Sequence, residues 1–79
     1  MARVLLFGPL RDLAGWRERD LAATSLAELR RALGAEDPAL GQALAAPGVQ
    51  VALDQAIVRG DVALTATAEV AFLPPMSGG

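Results

Sequence analysis

The sequence contains no cysteine, histidine, tyrosine or lysine, so all seven of its cations are arginine. Without cysteine and histidine, disulfides, zinc sites built from these ligands and catalysis by a Cys–His or Ser–His pair are excluded. Without lysine, Schiff-base chemistry is excluded as well. We therefore expect no metal site, and chemistry only from carboxylates, arginines, a few hydroxyls and the two chain termini.

An excess of positive charge is also missing. Nine acidic residues against seven arginines give a net charge of −2, which is the wrong sign for a protein that binds nucleic acid. There is no run of 18 apolar residues, and the region after Arg3 lacks the apolar segment and cleavage site of a secretory signal. These features predict a cytoplasmic protein whose partners are neither nucleic acids nor membranes.

Apolar residues, by contrast, are abundant. They make up 53% of a chain of 79 residues, which is long enough for one small domain. A domain of this size buries only about 60% of the surface that its unfolded chain exposes. Much apolar surface must then stay accessible, and we expect part of it to bind a partner protein. The alternative explanation is the high alanine content, because alanine adds little area per residue.

Hydrophobic spacing and turn residues predict eight elements. The first three are a buried strand over 3–7, a short helix from Pro9 to before Gly15 and a charged edge strand over 16–21. Two helices follow: a main helix that begins at a Ser25/Glu28 capping box and ends at Gly34, and a second helix from Asp37-Pro38 to Leu44. The last three are a strand over 49–53, an extended segment over 56–58 after a turn at Asp54-Gln55, and a strand over 69–73. Leu64 is predicted to be an isolated core residue between the last two strands.

The last strand is expected at the centre of the sheet, because Val70 and Phe72 lie on one face, Ala71 and Leu73 lie on the other, and all four are apolar. Parallel pairing of the first and last strands would complete a ubiquitin-like β-grasp. This is an α+β fold in which helices cover one face of a small mixed sheet. We predict a β-grasp domain over residues 1–73 and a flexible tail over residues 74–79.

The tail has an unusual composition. Pro74 and Pro75 remove two backbone donors in succession, so pairing in the sheet must end there, and they stiffen the base of the tail. Gly78 and Gly79 carry no Cβ, which lets the terminal carboxylate enter a narrow channel. The alternative explanation is a frayed glycine-rich end without function.

Three blocks of the sequence resemble the small subunits of molybdopterin synthase, which are ubiquitin-like sulfur carriers. They are VLLFGPLRDLAG at 4–15, VALDQ at 51–55 and, most specifically, EVAFLPPMSGG at 69–79. Two positions depart from the family pattern. A turn that usually contains glycine is replaced within residues 64–70, where we expect another turn type, and Asp54 stands where many relatives have asparagine.

The resemblance implies a sulfur-carrier function that is not enzymatic on its own. The carboxylate of Gly79 would be adenylated by an enzyme related to ubiquitin-activating enzymes, which consumes ATP, and then converted to a thiocarboxylate. A cysteine desulfurase or rhodanese-like protein would supply the sulfur. The tail would insert into the large subunit of a heterotetrameric synthase and donate sulfur to cyclic pyranopterin monophosphate, which builds the dithiolene of molybdopterin. No cofactor would be bound permanently.

By the same resemblance, several residues would contact the partner. Apolar contact would come from Phe7, Phe72, Leu73 and Met76, although core packing is an equally good explanation for the two phenylalanines. Arg11 would pair with a carboxylate or reach the partner, or simply lie in solvent. The candidate set for the tail and its docking is Gly79, Gly78, Ser77, Met76, Pro75, Pro74, Leu73, Phe72, Phe7 and Arg11, with Ser77 chosen for its small size.

Other functions are compatible with the same features. A sulfur carrier for thiamine synthesis or tRNA thiolation, or a ubiquitin-like modifier of other proteins, would share the fold and the Gly78-Gly79 end. A β-grasp interaction module with an inert tail would keep its function after deletion of these two glycines. The double proline and the block around Phe7 and Arg11 favour the molybdopterin branch.

Overall fold

The computed structural model describes residues 1–75 and contains five strands and three helices. Their bounds are β1 Ala2–Leu6, α1 Pro9–Ala14, β2 Glu18–Leu21, α2 Leu26–Glu36, α3 Pro38–Leu44, β3 Gln50–Leu53, β4 Ala56–Val58 and β5 Glu69–Leu73. All eight predicted elements are present. β1 ends one residue earlier than expected, which leaves Phe7 in the loop before α1.

The strands form one mixed sheet in the order β2-β1-β5-β3-β4. β5 lies at the centre, parallel to β1 with Leu6 opposite Phe72, and antiparallel to β3 with Val51 opposite Phe72. β2 and β4 are the two edges. The first and last strands of the chain are therefore neighbours, as the β-grasp prediction required.

The core lies between one face of the sheet and the helices. Val4, Val70 and Phe72 are completely buried on that face. They pack in one cluster with leucines that recur at helical spacing, namely Leu10, Leu26, Leu29, Leu33, Leu40 and Leu44. Leu64, predicted to be a core residue outside the regular elements, belongs to the same cluster.

Helix α2 begins at the predicted capping box. The Ser25 hydroxyl accepts a hydrogen bond from the Glu28 amide at 3.1 Å as expected, but the Glu28 carboxylate accepts one from the amide of Thr24, at 2.9 Å, rather than from that of the cap residue Ser25. The predicted end of this helix at Gly34 is wrong, because α2 continues to Glu36. Gly34 instead faces Gly41 of α3, where the two helix backbones are close together.

The turn between β3 and β4 and the turn within residues 64–70 have different backbone conformations. Asp54 and Gln55 both have positive φ angles, 49° and 72°, in the two-residue connection between β3 and β4. The Asp54 carboxylate also accepts a hydrogen bond from the Glu69 amide at 2.9 Å. In the glycine-free segment 64–70, the Ala68 amide donates to the Thr65 carbonyl at 3.1 Å and no residue has a positive φ, as expected for a turn without glycine.

The edge strand β2 carries the predicted charges. Arg19 forms two hydrogen bonds with the Glu36 carboxylate, at 2.6 and 3.1 Å, and its guanidinium lies 5.1 Å from the centroid of the Trp16 ring. This ion pair joins the edge of the sheet to the last turn of α2. Across residues 1–75, none of the helices has the length and apolar character needed to cross a membrane.

Candidate functional site

The chain leaves the sheet at the end of the central strand. After Leu73, Pro74 is half-buried and Pro75 is exposed. Pro74 lies next to Gly8 in the loop after β1, and Pro75 lies next to Gly48 in the loop before β3. Because β1 and β3 flank β5, these two loops border the exit of the chain on either side.

The face of the sheet opposite the core carries an apolar row. Side chains alternate along strands, so the residues between the buried ones point to this face. Register places Leu5, Ala71, Ala52 and Ile57 side by side across β1, β5, β3 and β4. Ile57 is 50% exposed and the other three are partly buried. We call this surface, together with Phe7 and Leu73, the open face.

Phe7 and Arg11 lie at the same corner of the open face. Together with Leu5, Arg17 and Glu18 they line a depression of about 250 Å³. Phe7 is 45% exposed, although an aromatic side chain gains most from burial. The Arg11 guanidinium lies 4.0 Å from the Asp12 carboxylate, and both side chains are exposed. This corner therefore presents the ring of Phe7 beside the exposed guanidinium of Arg11.

Charged side chains bound the open face on the side of β2. Arg3 Nε lies 3.5 Å from Glu18 Oε2 and 3.9 Å from Asp20 Oδ1. All three side chains are about half exposed or more, so water screens these pairs and they add little stability. Their effect is a polar border beside an apolar strip, which is the usual arrangement of a protein–protein contact.

The sequence pattern of the ThiS family matches residues 4–79. The chain belongs to the ThiS family. It is also 35% identical to the molybdopterin synthase sulfur carrier subunit of Escherichia coli over 81 residues, which covers the whole of both chains. It is thus a ubiquitin-like protein of the sulfur-carrier type, as the resemblance of the three sequence blocks predicted.

Solved structures confirm the β-grasp fold. The solution structure of small archaeal modifier protein 1 from Methanosarcina acetivorans superposes with a TM-score of 0.88 at 23% identity, over 99% of this chain and 95% of that one. The crystal structure of SAMP1 from Haloferax volcanii gives a TM-score of 0.78 at 25% identity, over 99% and 98%.

For one candidate docking residue of this ThiS-family chain, Phe72, the alternative explanation of core packing is correct. Phe72 is 0% exposed and faces the helices, so it is a core residue and cannot contact a partner directly. The Arg30 guanidinium lies 5.3 Å from the centroid of its ring and donates a hydrogen bond to the Leu44 carbonyl at 3.2 Å. Phe72 therefore contributes to the site indirectly, because it fixes β5 against α2.

The other candidates divide into two groups. Phe7, Arg11, Leu73, Pro74 and Pro75 all lie at the end of the sheet where the chain leaves it. The remaining candidates, Met76, Ser77, Gly78 and Gly79, lie outside the described residues.

Sequence reasoning missed part of the site. Leu5, Ala52 and Ile57 belong to the open face, but they were assigned only to strands. Their alternation with buried neighbours was visible in the sequence, whereas their alignment into one row depends on strand order and register. The sequence also gives no indication that Gly8 and Gly48 lie beside the two prolines, because this contact depends on strand order.

Proposed function

We propose that this chain is the sulfur-carrier subunit of molybdopterin synthase and that its reactive group is the carboxylate of Gly79. The observation that carries the proposal is the end of the central strand, where the chain leaves the sheet beside the exposed Phe7 and the apolar open face. Full-length identity of 35% to the Escherichia coli sulfur carrier subunit supports the same choice among related carriers.

The open face is suited to hold the domain on a partner while the tail reaches further. Leu5 on β1, Phe7 just after β1 and Leu73 on the adjacent β5 lie at or near the exit, so a partner that covers them lies beside Pro74 and Pro75. Binding energy from this apolar contact offsets the ordering of a short tail. In this proposal the open face binds the partner and the C-terminal carboxylate reacts.

The chemistry needs only the terminal carboxylate from this chain. In the proposed first step, a carboxylate oxygen attacks the α-phosphorus of ATP and pyrophosphate leaves. In the second, the terminal sulfur of a persulfide on the sulfur donor displaces AMP and forms an acyl disulfide. A dithiol reductant then cleaves its S–S bond, which releases the thiocarboxylate and the donor thiol while the reductant becomes a disulfide. Because the sequence has no cysteine, histidine or lysine, proton transfer and phosphate binding fall to the partner enzymes. The thiocarboxylate then donates its sulfur to cyclic pyranopterin monophosphate bound by the large subunit.

The proposal defines a set of partners. They are the large synthase subunit, with which the chain would form a heterotetramer, an adenylating enzyme related to ubiquitin-activating enzymes, and a sulfur donor of the cysteine desulfurase or rhodanese type. ATP is consumed by the adenylating enzyme, and the carrier itself keeps no bound cofactor. The cytoplasm, which supplies ATP and reduced sulfur, is the proposed compartment.

Intact-mass spectrometry tests the reactive group. The protein is incubated with ATP, a candidate adenylating enzyme and a sulfur donor, and we expect the mass increase that corresponds to exchange of one oxygen for sulfur. A C-terminal peptide map must place the change at Gly79 rather than at Met76, whose oxidation adds a similar mass. A variant that lacks Gly79 is the control and gains nothing. An unmodified wild type beside a demonstrably active adenylating enzyme contradicts the proposal.

The acceptor is tested separately with the thiocarboxylated protein. Molybdopterin should form when the large subunit and cyclic pyranopterin monophosphate are added, with one carrier carboxylate regenerated for each sulfur transferred. Equal or better transfer to a thiamine-pathway acceptor or to tRNA thiolation enzymes would assign the chain to another branch. Covalent attachment to lysines of other proteins would identify a modifier instead.

A further inference from the structure

Two glycines touch the two prolines at the exit of the chain. A β carbon on Gly8 would lie 3.3 Å from Cγ of Pro74, and Gly8 has a φ of 56°. A β carbon on Gly48 would lie 3.0 Å from Cβ and 3.3 Å from Cγ of Pro75, and Gly48 has a φ of 90°. At both positions the backbone conformation and the space available favour glycine.

The contacts come from opposite sides. Gly8 follows β1 and Gly48 precedes β3, and these strands flank β5 in the sheet. Because β3 runs antiparallel to β5 and β1 runs parallel to it, both loops lie at the end of the sheet where β5 finishes. Pro74 and Pro75 therefore pass between two loop backbones, one proline against each.

We propose that Gly8 and Gly48 are positioning residues that hold Pro74 and Pro75 between the two loops and so set the direction in which the reactive tail leaves the domain. This inference rests on the proposed sulfur-carrier function. Each proline ring already fixes its own φ, and contact with the loops fixes the prolines relative to the sheet. A tail whose base has a defined direction loses less entropy when it enters an active-site channel.

The chain offers matched controls. Gly15 and Gly60 also have positive φ, 82° and 72°, but a β carbon at either position would meet nothing within 4 Å. Alanine at Gly15 or Gly60 thus introduces the same kind of backbone strain without touching the prolines. Differences between Gly48→Ala and these two variants report the proline contact, because the cost of positive φ is common to all three.

Residual dipolar couplings test the direction without any enzyme. In the wild type, the Cα–Hα couplings of Pro74 and Pro75 should fit the same alignment tensor as the sheet. We expect this fit to persist in Gly15→Ala and Gly60→Ala. In Gly48→Ala the Pro75 coupling, and in Gly8→Ala the Pro74 coupling, should depart from the fit while the couplings of the sheet do not change.

Pro75→Gly removes the proline ring that lies against Gly48, at an exposed position. If Gly48→Ala fails to fold, this variant tests whether the contact orients residue 75. The new amide of residue 75 reports its own orientation, and its coupling should shrink towards zero. Wild-type proline couplings that are already averaged, or a Pro75 coupling that is unchanged in Gly48→Ala, would overturn the inference.

Kinetics with the adenylating enzyme supply the second readout. Because the open face is unchanged, KM for the carrier should stay within about twofold in Gly48→Ala, while misdirection of the carboxylate lowers kcat by up to about a hundredfold. Gly15→Ala and Gly60→Ala should keep both constants. If the wild type itself is never adenylated, the sulfur-carrier function fails, and the couplings still decide whether the two glycines direct the tail.

Discussion

Gly41 of α3 lies so close to Gly34 of α2 that a β carbon on Gly41 would be 2.7 Å from the Gly34 Cα. The reverse is not true, because a β carbon on Gly34 would lie 3.7 Å from the Gly41 Cα, an ordinary van der Waals distance. The crossing of the two helices therefore depends on one of the glycines more than on the other.

Alanine substitutions at this crossing should have opposite effects. Gly41→Ala forces α2 and α3 apart, and we expect a loss of about 1–3 kcal/mol in the free energy of unfolding. Gly34→Ala adds a methyl group without a clash inside a helix and should gain up to about 1 kcal/mol from helix propensity. Urea denaturation of both variants measures the difference. Equal losses at the two positions would show that the close approach does not limit packing.

Arg30 should contribute to stability although it is charged. Its guanidinium lies over the buried Phe72 ring and its Nη1 donates to the Leu44 carbonyl, so Arg30→Ala removes a cation–π contact and a hydrogen bond together. We expect a loss of about 1–2 kcal/mol in the free energy of unfolding. Arg31→Ala, at the exposed neighbouring position, should stay within about 0.5 kcal/mol of the wild type. Comparable losses in both variants would assign the effect to net charge.

The ion pair of Arg19 and Glu36 should make stability depend on pH. The hydrogen bond from Arg19 has the largest effect on the pKa of Glu36 and lowers it; desolvation, which is next in size, opposes this, and the charge of Arg19 lowers the pKa further. A carboxylate whose pKa is lower in the folded state stabilises that state above the unfolded pKa, about 4.3, and loses this effect as the pH falls through the folded pKa.

The comparison of wild type with Glu36→Gln measures this dependence. The wild type should have the higher urea midpoint at pH 7, and the difference should disappear as the pH is lowered towards 2. An unchanged difference at low pH would mean that the glutamine acts through packing. Asp12→Asn is a control for a surface carboxylate, since Asp12 lies 4.0 Å from Arg11 without a hydrogen bond.

Phe7 should matter for partner binding more than for folding. Its ring is 45% exposed at the corner of the open face, so Phe7→Ala removes contact area that is available to the proposed partner, the large synthase subunit. We expect Kd for that subunit to rise about tenfold or more in calorimetric titration. Leu13→Ala, which removes an equally exposed apolar side chain from α1, should change Kd by less than about twofold. Equal effects of the two variants would place the contact elsewhere.

Local patterns in the sequence were sufficient to predict the order of elements. The capping box at Ser25 predicted the start of α2, and the two apolar faces of β5 predicted its central place, because both depend on neighbouring residues. The end of α2 could not be predicted in this way. Gly34 is a typical helix terminator by its type, but here it serves a contact with a residue of the next helix.

The candidate site was predicted less completely than the fold. The double proline and the terminal glycines were visible in the sequence, whereas the alternation of side chains along β5 does not show which face the helices cover. Phe72 and Leu73 were for that reason treated alike, although Phe72 is buried and Leu73 is partly accessible. The positions of Gly8 and Gly48 beside the prolines depend on the pairing of β1, β5 and β3, so no local sequence pattern predicts them.

The central place of β5 also constrains how the domain folds. Arg3 lies opposite Glu69 in the register of β1 and β5, so pairing of these strands must bring together residues that are far apart in the sequence. Strand β3 likewise gains its central neighbour only when β5 is present. A growing chain that has completed β1 to β4 still lacks the strand that joins β1 to β3. The segment that leads to the proposed reactive end is thus also the one that completes the sheet, so a chain that has failed to fold lacks the open face as well.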